Sequence, residues 1–319
     1  MSVPGASHPS AVARPGAVSV RCVTTVPSAE PGDRWPVPPL FDHLVDDSSL
    51  LQPRAEAPSV DEVVTRYLTA REGRYGGLLG QLACPVSRLP MLVKELARSG
   101  PARPVELALV VDSGLGAVPK ALSAVFSRSS LLTLRTIEAA APVDVDSVWL
   151  ERVAEFVPDE VVPVVEPRRP IGVDDAGVDA WLHAVRRVAE HGCVPKLRCG
   201  PRPSDVPTVA DVARFVRIVV DLERRFVVLG LEPVAHTDGA GHDDLVRHGV
   251  LNLLVAVGRA LDGGDVADAL GSADGTVLAQ EALALSPVRV RQVRALLARC
   301  GTVPDPAPTA ELATLGLLG

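Results

Sequence analysis

The chain has 319 residues, of which 47% are hydrophobic and only 3% are aromatic, so it can bury a sizeable core built from small branched side chains. Its formal net charge of −7 argues against a general nucleic-acid partner, because neutralising phosphates requires a surplus of lysine and arginine. No apolar run reaches the roughly 18 residues of a membrane span, and the opening segment MSVPGASHPSAVARPG has no signal-peptide core. We therefore expect a cytoplasmic protein with no membrane partner.

The cysteine pattern indicates neither a metal site nor a disulfide framework. The cysteines are scattered along the chain and form no CxxC pair. We expect buried free thiols in a reducing compartment, since free cysteine is commonly buried. They are Cys22, Cys84, Cys193, Cys199 and Cys300. The sequence predicts no bound metal and no cofactor.

The first stretch of the chain, residues 1–34, is rich in Pro, Ala, Ser and Gly and shows no hydrophobic period. Such a composition cannot offset the entropy of ordering the chain, so we predict a disordered tail. The segment Trp35–Pro53 then leads into a single domain that we expect to span residues 35–319. Next, SVDEVVTRYLTARE predicts a helix with Ser59 as its N-cap.

Beyond this helix the chain alternates between strand patterns and helix patterns. Six segments have the short apolar pattern of strands: GLLGQLAC, PVELALVVD, SLLTLRTIEA, DEVVPVVEP, CVPKLRCG and RFVVLGLEP. A helical pattern follows each of them, and this rhythm predicts a parallel sheet with right-handed crossovers. After the sixth strand and its long helix, VRVRQVRALLARC and TAELATLGLL predict two further helices.

Such a sheet can be an open, doubly wound sheet or a closed (βα)8 barrel of the TIM type. The barrel is favoured because no glycine-rich phosphate motif follows the first strand, and because polar residues follow the strands all along the chain rather than at one switch point. We therefore predict an α/β fold with a (βα)8-barrel-like sheet, whose closure is imperfect where a seventh strand should stand.

Charged residues recur at the ends of the predicted strands, which form the working face of a barrel. They are Asp112, Glu138, Glu166, Lys196, Arg198 and Glu232. Each one alone is explained by a strand that runs into a solvated loop. Their recurrence predicts a ring of mixed charge over an apolar barrel, the usual site for a small polar ligand.

The segment VPKLRCG places two cations on one face of a strand and apolar side chains on the other. Lys196 and Arg198 are therefore expected to face the barrel axis near its upper rim. Buried cations need anionic partners, and Glu166 and Glu232 on the neighbouring strands are the candidates. Either these groups form a purely structural ion network, or Arg198 binds a substrate carboxylate or phosphate. In the second case a desolvated Lys196 is suited to act as base or Schiff-base amine.

Two further motifs add candidate ligand-binding residues. In VDDSS, Asp46 and Asp47 are suited to hold a hard cation or a hydroxyl-rich ligand, although such pairs also cap helices. In HTDGAGHDDLVRHG the histidines stand six residues apart, which is not the spacing of a helical metal pair. His248 and Asn252 are four residues apart and are expected to share a helix face directed at the barrel rim.

Four segments resemble an uncharacterised, mainly actinobacterial family of barrel-like proteins: PPLFDHLVDDSSLLQP, VPKLRCG, RHGVLNLL and AELATLGLL. Members of that family carry LFDxLVDDAALFPP near their start, KLRTGG on a strand, and then PFKATAGLHHP and HGFLN. The resemblance covers the chain from about Trp35 onward and keeps the order and spacing of the motifs. It implies a shared fold and a shared site, but no particular reaction.

The chain departs from these family motifs where chemistry would be expected. Val227 stands in place of the lysine of FKATAGLHH, and Glu232 and Pro233 stand in place of its two histidines. Cys199 and Pro201 replace the threonine and a glycine of KLRTGG. A lysine with a histidine pair resembles acid–base or Schiff-base machinery. Its loss implies either altered chemistry or a non-catalytic descendant.

Two hypotheses for the function follow. The first is a barrel enzyme of lyase, aldolase or isomerase type that acts on a small carboxylate or phosphate metabolite. Its expected catalytic residues are Lys196, Glu166 and Glu232, and its expected substrate-binding residues are Arg198, Asp46, Asp47, Asp112, Glu138, His248 and Asn252. The second hypothesis is a degenerate barrel that binds a metabolite or a protein partner without turnover, and the loss of the family lysine favours it.

Overall fold

The computed structural model describes residues 35–53, 55–172, 174–200, 202–237, 245–302 and 309–318, together with Met1. The predicted tail, apart from its first residue, lies outside these ranges. None of the helices in the described ranges combines the length and the apolar character that a membrane crossing requires.

Eight of the described strands form a closed barrel in which neighbouring strands run parallel, as predicted for a (βα)8 fold. Its eight members are β1 (Val45–Asp47), β2 (Leu79–Pro85), β3 (Val105–Val111), β4 (Leu132–Ala140), β5 (Val162–Glu166), β6 (Val194–Arg198), β7 (Phe226–Leu231) and β10 (Leu297–Thr302). The order around the barrel is β1, β10, β7, β6, β5, β4, β3 and β2, and β2 pairs again with β1. Two short strands, β8 (His236–Thr237) and β9 (Val246–Arg247), form a separate antiparallel pair.

Strands β2 to β7 coincide with the six segments predicted from the sequence, whereas β1 and β10 were not predicted. These two strands pair with each other, with Val45 opposite Cys300, and complete the ring. β1 has only three residues, two of them aspartates, and β10 directly continues the helical pattern of the segment before it. The structure ends that helix at Leu296 and forms a strand from the following residues. The barrel is therefore closed, without the expected gap.

Helices connect the strands and cover the outside of the barrel. They are α1 (Val60–Glu72), α2 (Leu89–Ser99), α3 (Val118–Phe126), α4 (Ser147–Phe156), α5 (Asp175–Glu190), α6 (Val209–Asp221), α7 (Val250–Leu261), α8 (Val266–Gly271), α9 (Gly275–Leu283), α10 (Pro287–Leu296) and α11 (Thr309–Thr314). The predicted start of α1 is confirmed, since the backbone N–H of Ser59 donates to Glu62 at 2.9 Å and closes a capping box.

The hydrophobic core lies between the outer faces of the strands and the helices around them. Leu107 and Leu109 of β3 are buried in one cluster with Leu92 of α2. Elsewhere on the barrel, Phe226 of β7 packs edge-on against Phe215 of α6, with 5.6 Å between the ring centroids. Because side chains alternate along a strand, the residues between these apolar positions point into the barrel. The charged residues that the site requires come from those inward positions.

Candidate functional site

Strand β6 directs two cations into the barrel and apolar side chains out of it. Leu197 is 1% exposed and Cys199 is 2% exposed, and both belong to the core beneath the helices. Lys196 and Arg198 occupy the opposite face, as alternation along the strand requires. Their ion pairs with carboxylates of β4 and β5 confirm the predicted inward orientation.

The upper of these ion pairs joins Arg198 to Glu166, the last residue of β5, and it confirms the predicted contact. Nε donates to Oε1 at 2.7 Å and Nη2 donates to Oε2 at 2.8 Å, the two-pronged geometry in which these groups bind most strongly. Burial raises the pKa of the Glu166 carboxyl, but the hydrogen bonds and charge of Arg198 outweigh it and hold that pKa below its usual range. Among the described residues, Nη1 of Arg198 has no hydrogen-bond partner.

The lower ion pair joins Lys196 to Glu138 of β4 inside the barrel. Both side chains are almost completely buried, with exposed fractions of 5% and 7%. The partner of Lys196 is thus neither Glu166 nor Glu232, the two acids expected beside the cations. Glu166 is engaged by Arg198 one pleat higher, whereas Glu138 reaches the level of Lys196 from two strands away.

Asp46 of β1 also lies in the barrel interior, where its carboxylate is enclosed by protein. Oδ1 accepts a hydrogen bond from the backbone N–H of Gln81 at 2.7 Å, and Oδ2 is 3.6 Å from Nε of Arg299. A Cβ atom at Gly80 would stand 2.5 Å from Oδ1, so this carboxylate requires glycine at that position. Burial raises the pKa of Asp46 to about 6, although the charge of Arg299 and the hydrogen bond from Gln81 oppose the rise.

This raised pKa predicts that Asp46 makes its own contribution to the pH dependence of stability. Folded protein holds the proton with a pKa of about 6, against 3.8 for an ordinary aspartate. At this residue the folded state therefore binds more protons than the unfolded state between these values, and the contribution of Asp46 to the free energy of unfolding falls as pH rises through this window. The loss amounts to about 3 kcal/mol.

The measurement is the free energy of unfolding of wild type and of Asp46→Asn, by urea denaturation from pH 4 to pH 8. Subtracting the two profiles isolates Asp46, because asparagine does not titrate. We expect the stability of wild type relative to the variant to decline by about 3 kcal/mol as pH rises from about 4 to about 7. A flat difference profile would show that the carboxylate titrates alike in both states.

A cavity of about 570 Å³ opens at the C-terminal end of the barrel, and we call it the mouth cavity. Its charged lining residues are Glu56, Arg198, Arg202, Asp205, Glu232 and Arg247. Gly230 lines it and has no room for a side chain, because a Cβ atom there would stand 1.8 Å from the carbonyl oxygen of Cys199. Glu232 is half-buried in this cavity and forms no salt bridge within the described residues.

Arg198 also borders two smaller recesses next to the mouth cavity, so it lies where all three meet. One recess contains Asp112, which accepts hydrogen bonds from the backbone N–H of Ser87 at 3.1 Å and from the hydroxyls of Ser87 and Ser113. Partial burial raises the pKa of Asp112, but these hydrogen bonds outweigh it and keep the pKa below its usual value. Asp112 is therefore an ionised residue at the rim, as predicted.

Asp47, which the sequence analysis expected to bind the substrate together with Asp46, does not line the mouth cavity. Its Oδ1 accepts a hydrogen bond from the backbone N–H of Ser49 at 3.0 Å, and its Oδ2 is 3.5 Å from Nη2 of Arg66 on α1. Consecutive residues of a strand point to opposite faces. Asp46 therefore points into the barrel while Asp47 points out towards the helices and stabilises the turn that follows β1.

Neither His248 nor Asn252 lines the mouth cavity. Both side chains instead form hydrogen bonds with the backbone of neighbouring segments. Nε2 of His248 bonds to the carbonyl oxygen of Pro207 at 2.8 Å, and burial lowers the pKa of this histidine. Oδ1 of Asn252 accepts from the backbone of Ala235, and its Nδ2 donates to the carbonyl oxygens of residues 269 and 272. The expected orientation towards the rim is wrong, because backbone groups take up both side chains: His248 bonds to the loop between β6 and α6, and Asn252 bonds to the segments around α7 and α8.

The structure offers no metal centre within the part of the chain that it describes. No group of three or more histidine, cysteine or carboxylate side chains is arranged there to hold an ion. His236 is exposed on β8, while His242 lies outside the described residues. The described cysteines are buried and unpaired.

Two arginines of the mouth cavity were missed by the sequence analysis. Arg202 and Arg247 lie outside the barrel strands, in segments without a periodic pattern. Nη1 of Arg247 donates to the carbonyl oxygen of Gly200 at 3.0 Å, which ties the loop after β6 to β9. The one available signal was the position of Arg247 directly before His248 in the motif RHGVLNLL.

Comparison of the chain with protein-family models and with curated proteins found no match in either. The class of the protein therefore follows from its own fold and site: a closed (βα)8 barrel with arginines and carboxylates around a cavity at the C-terminal mouth. In essentially every characterised enzyme of this fold, the active site lies at that mouth.

Proposed function

We propose that the protein binds a small anionic metabolite at the mouth cavity, and that Arg198 anchors its carboxylate or phosphate group. The geometry of Arg198 carries this proposal. Glu166 holds two of its nitrogen atoms, while Nη1 has no partner among the described residues. The Arg198 side chain is 42% exposed, so a ligand can reach it. A guanidinium already held in place loses little conformational freedom when it binds an anion.

The charges around Arg198 support both binding and chemistry. Six arginines and five carboxylates line the mouth cavity and its two recesses, although the whole chain carries a formal charge of −7. The mouth is therefore much less negative than the rest of the protein, which favours the approach of an anion. Carboxylates in the same ring provide groups that accept a proton or bind hydroxyls.

Glu232 is the carboxylate best placed for acid–base chemistry, because it lines the mouth cavity with Arg198 and forms no salt bridge within the described residues. With a carboxylate substrate bound to Arg198, Glu232 removes a proton from the carbon next to the carboxylate. The electron pair of the broken C–H bond moves onto the carboxylate, and Arg198 stabilises the growing charge. Return of the proton gives an isomer. Departure of a leaving group from the next carbon gives the product of a lyase.

A second candidate function is binding without turnover, which the surroundings of Lys196 and Val227 favour. Lys196 is buried against Glu138 and does not line the mouth cavity, so its amine is not placed to form a Schiff base there. Val227 lies in an apolar cluster with Val164 and Val194, where the resembling family carries its lysine. Both candidates share the ligand and Arg198, and they differ in whether Glu232 transfers a proton.

The experiment that separates them measures binding and proton exchange on the same samples. Malate, lactate, aspartate and inorganic phosphate are titrated into the protein by calorimetry. Malate, lactate and aspartate are then each incubated with the protein in D₂O. Proton NMR detects exchange of the hydrogen next to the carboxylate. We expect binding and exchange in wild type, and binding without exchange in Glu232→Gln, because glutamine keeps the shape but cannot accept the proton.

Glu151→Gln, an exposed position on α4, is the matched control and should keep both signals. Binding without exchange in wild type would favour the second candidate. Equal exchange in wild type and Glu232→Gln would remove Glu232 from the mechanism. The absence of binding for every anion of the panel would contradict the proposed site.

A further inference from the structure

Another cavity opens at the opposite end of the barrel, where the strands begin. It has a volume of about 490 Å³, within the size range of ligand pockets. Val162, Val194 and Val227, from the beginnings of β5, β6 and β7, form part of its wall. We call it the lower cavity. No residue that lines the mouth cavity also lines it.

Arg299 of β10 lines the lower cavity and carries an unpaired hydrogen-bond donor. The residue is 9% exposed, and its Nη1 is buried without a hydrogen-bond partner in the described ranges. Its ion-pair partner is Asp46, whose Oδ2 is 3.6 Å from Nε, too far for a strong hydrogen bond. A buried donor without an acceptor lowers stability. An anionic group in the lower cavity would supply that acceptor.

The other charged residues of the lower cavity add to the positive potential. Four arginines and two glutamates line it. Arg135 pairs with Glu106 at 2.7 Å, and Arg294 donates to two backbone carbonyl oxygens. Arg225 is exposed and forms no salt bridge within the described residues. The excess of cations favours a ligand with negative charge.

The remaining wall restricts the chemistry of that ligand. Val164, Val194 and Val227 form an apolar cluster in the barrel interior, and Val162 and Ala298 pack against it. All five residues line the lower cavity. Burying the alkyl chain of a ligand against this wall therefore stabilises the complex. The carboxylate of Asp46 next to Arg299 opposes a second negative charge at the same point, so a monoanionic head group fits better than a phosphate dianion.

We propose that the lower cavity binds a short aliphatic carboxylate, with its head group on Nη1 of Arg299 and its chain against the valine wall. This site is separate from the mouth cavity and does not depend on the function proposed for it. The planar guanidinium matches a carboxylate in shape and charge. The apolar wall accounts for selectivity over small inorganic anions.

The test is a calorimetric titration of the full chain with hexanoate at pH 7.5, beside inorganic phosphate as a head group without a chain and hexanol as a chain without a charge. We expect hexanoate to bind more tightly than either when the three are compared in Arg198→Ala, which lacks the anion anchor proposed for the mouth. Arg299→Met should weaken hexanoate binding by about 30-fold or more, as expected when one partner of a buried charge pair is removed. Val162→Phe narrows the cavity from its half-buried edge and should weaken binding while Arg299 stays in place.

Arg214→Ala serves as the control, because this half-exposed residue of α6 lines neither the mouth cavity nor the lower cavity, and it should leave hexanoate binding unchanged. If Arg299→Met does not fold, Val162→Phe decides the question alone. Loss of hexanoate binding in Arg198→Ala, with full binding in Val162→Phe, would place the ligand at the mouth and overturn the proposal. In Arg198→Ala, where the proposed anion anchor of the mouth is missing, binding of phosphate or hexanol as tight as that of hexanoate would overturn the proposal too, as would no hexanoate binding by wild type.

Discussion

Replacement of Arg198 by alanine is expected to weaken anion binding at the mouth cavity by about 2–5 kcal/mol, the range for truncating one partner of a buried charge pair. Glu166 holds the guanidinium in position through Nε and Nη2. Nη1 is therefore available to donate a hydrogen bond to the anion. Calorimetric titration with the anion that binds wild type most tightly measures this loss. The melting temperature of the same samples shows what the change does to the fold.

The stability of this variant distinguishes a binding role from a structural one. The Arg198 side chain is 42% exposed, while that of Glu166 is 9% exposed. If the cation mainly neutralises Glu166, its removal should lower stability by roughly 3–5 kcal/mol and leave anion affinity unchanged. That result would refute the proposed site. A binding role predicts the opposite balance, with a large loss of affinity and a largely intact fold.

Arg214→Ala is the matched control for this experiment. Arg214 pairs with Asp179 on the outer helices, and its side chain is 44% exposed, close to the value for Arg198. It lies outside the mouth cavity. We expect unchanged anion affinity and a stability loss of at most about 1 kcal/mol, as for other exposed ion pairs.

The second large effect is expected at the buried pair of Lys196 and Glu138. Lys196→Met leaves the Glu138 carboxylate without its partner in the barrel interior, where both side chains are almost completely buried. Glu138→Leu leaves the ammonium in the same situation. Each single change should lower the free energy of unfolding by about 3–5 kcal/mol, because an unpaired buried charge is poorly solvated. Urea denaturation at pH 7 measures it.

The double variant Lys196→Met with Glu138→Leu tests the cause of that loss. Two apolar side chains of similar size remove both charges together, so the double variant should recover most of the stability. The two single losses are then far from additive, as contacting residues require. Additive losses would show that the pair itself is not what stabilises this part of the barrel. Arg98→Ala, which breaks an exposed pair with Glu95 on α2, should change stability by at most about 1 kcal/mol.

Residues of the candidate site differ in how far the sequence could predict them. The face of Lys196 and Arg198 follows from alternation within one strand, which is a local property. The partner of Lys196 does not, because Glu138 lies two strands away around the ring and comes into reach only through barrel closure. Asp46 and Asp47 were predicted together as neighbours. Alternation separates them, but that becomes visible only once β1 is known to be a strand.

Arg299 and the lower cavity could not be predicted from the sequence either, because they too depend on pairing between distant segments. The segment that contains Arg299 continues a helical pattern, and only pairing with β7 and β1 makes it a strand. A strand of this kind is stabilised by hydrogen bonds to distant segments, whereas a helix is stabilised within itself. A prediction from the spacing of apolar residues therefore favours the helix wherever a segment is compatible with both a helix and a strand.

The sequence by itself determined the alternation of strands and helices, the parallel barrel and the inward face of β6, because these depend on the spacing of apolar residues along the chain. Tertiary structure alone decided how the ring closes through β1 and β10, which carboxylate meets which cation, and which arginines line each end of the barrel. These features depend on distances between segments far apart in the chain. Such distances exist only once the eight strands are paired.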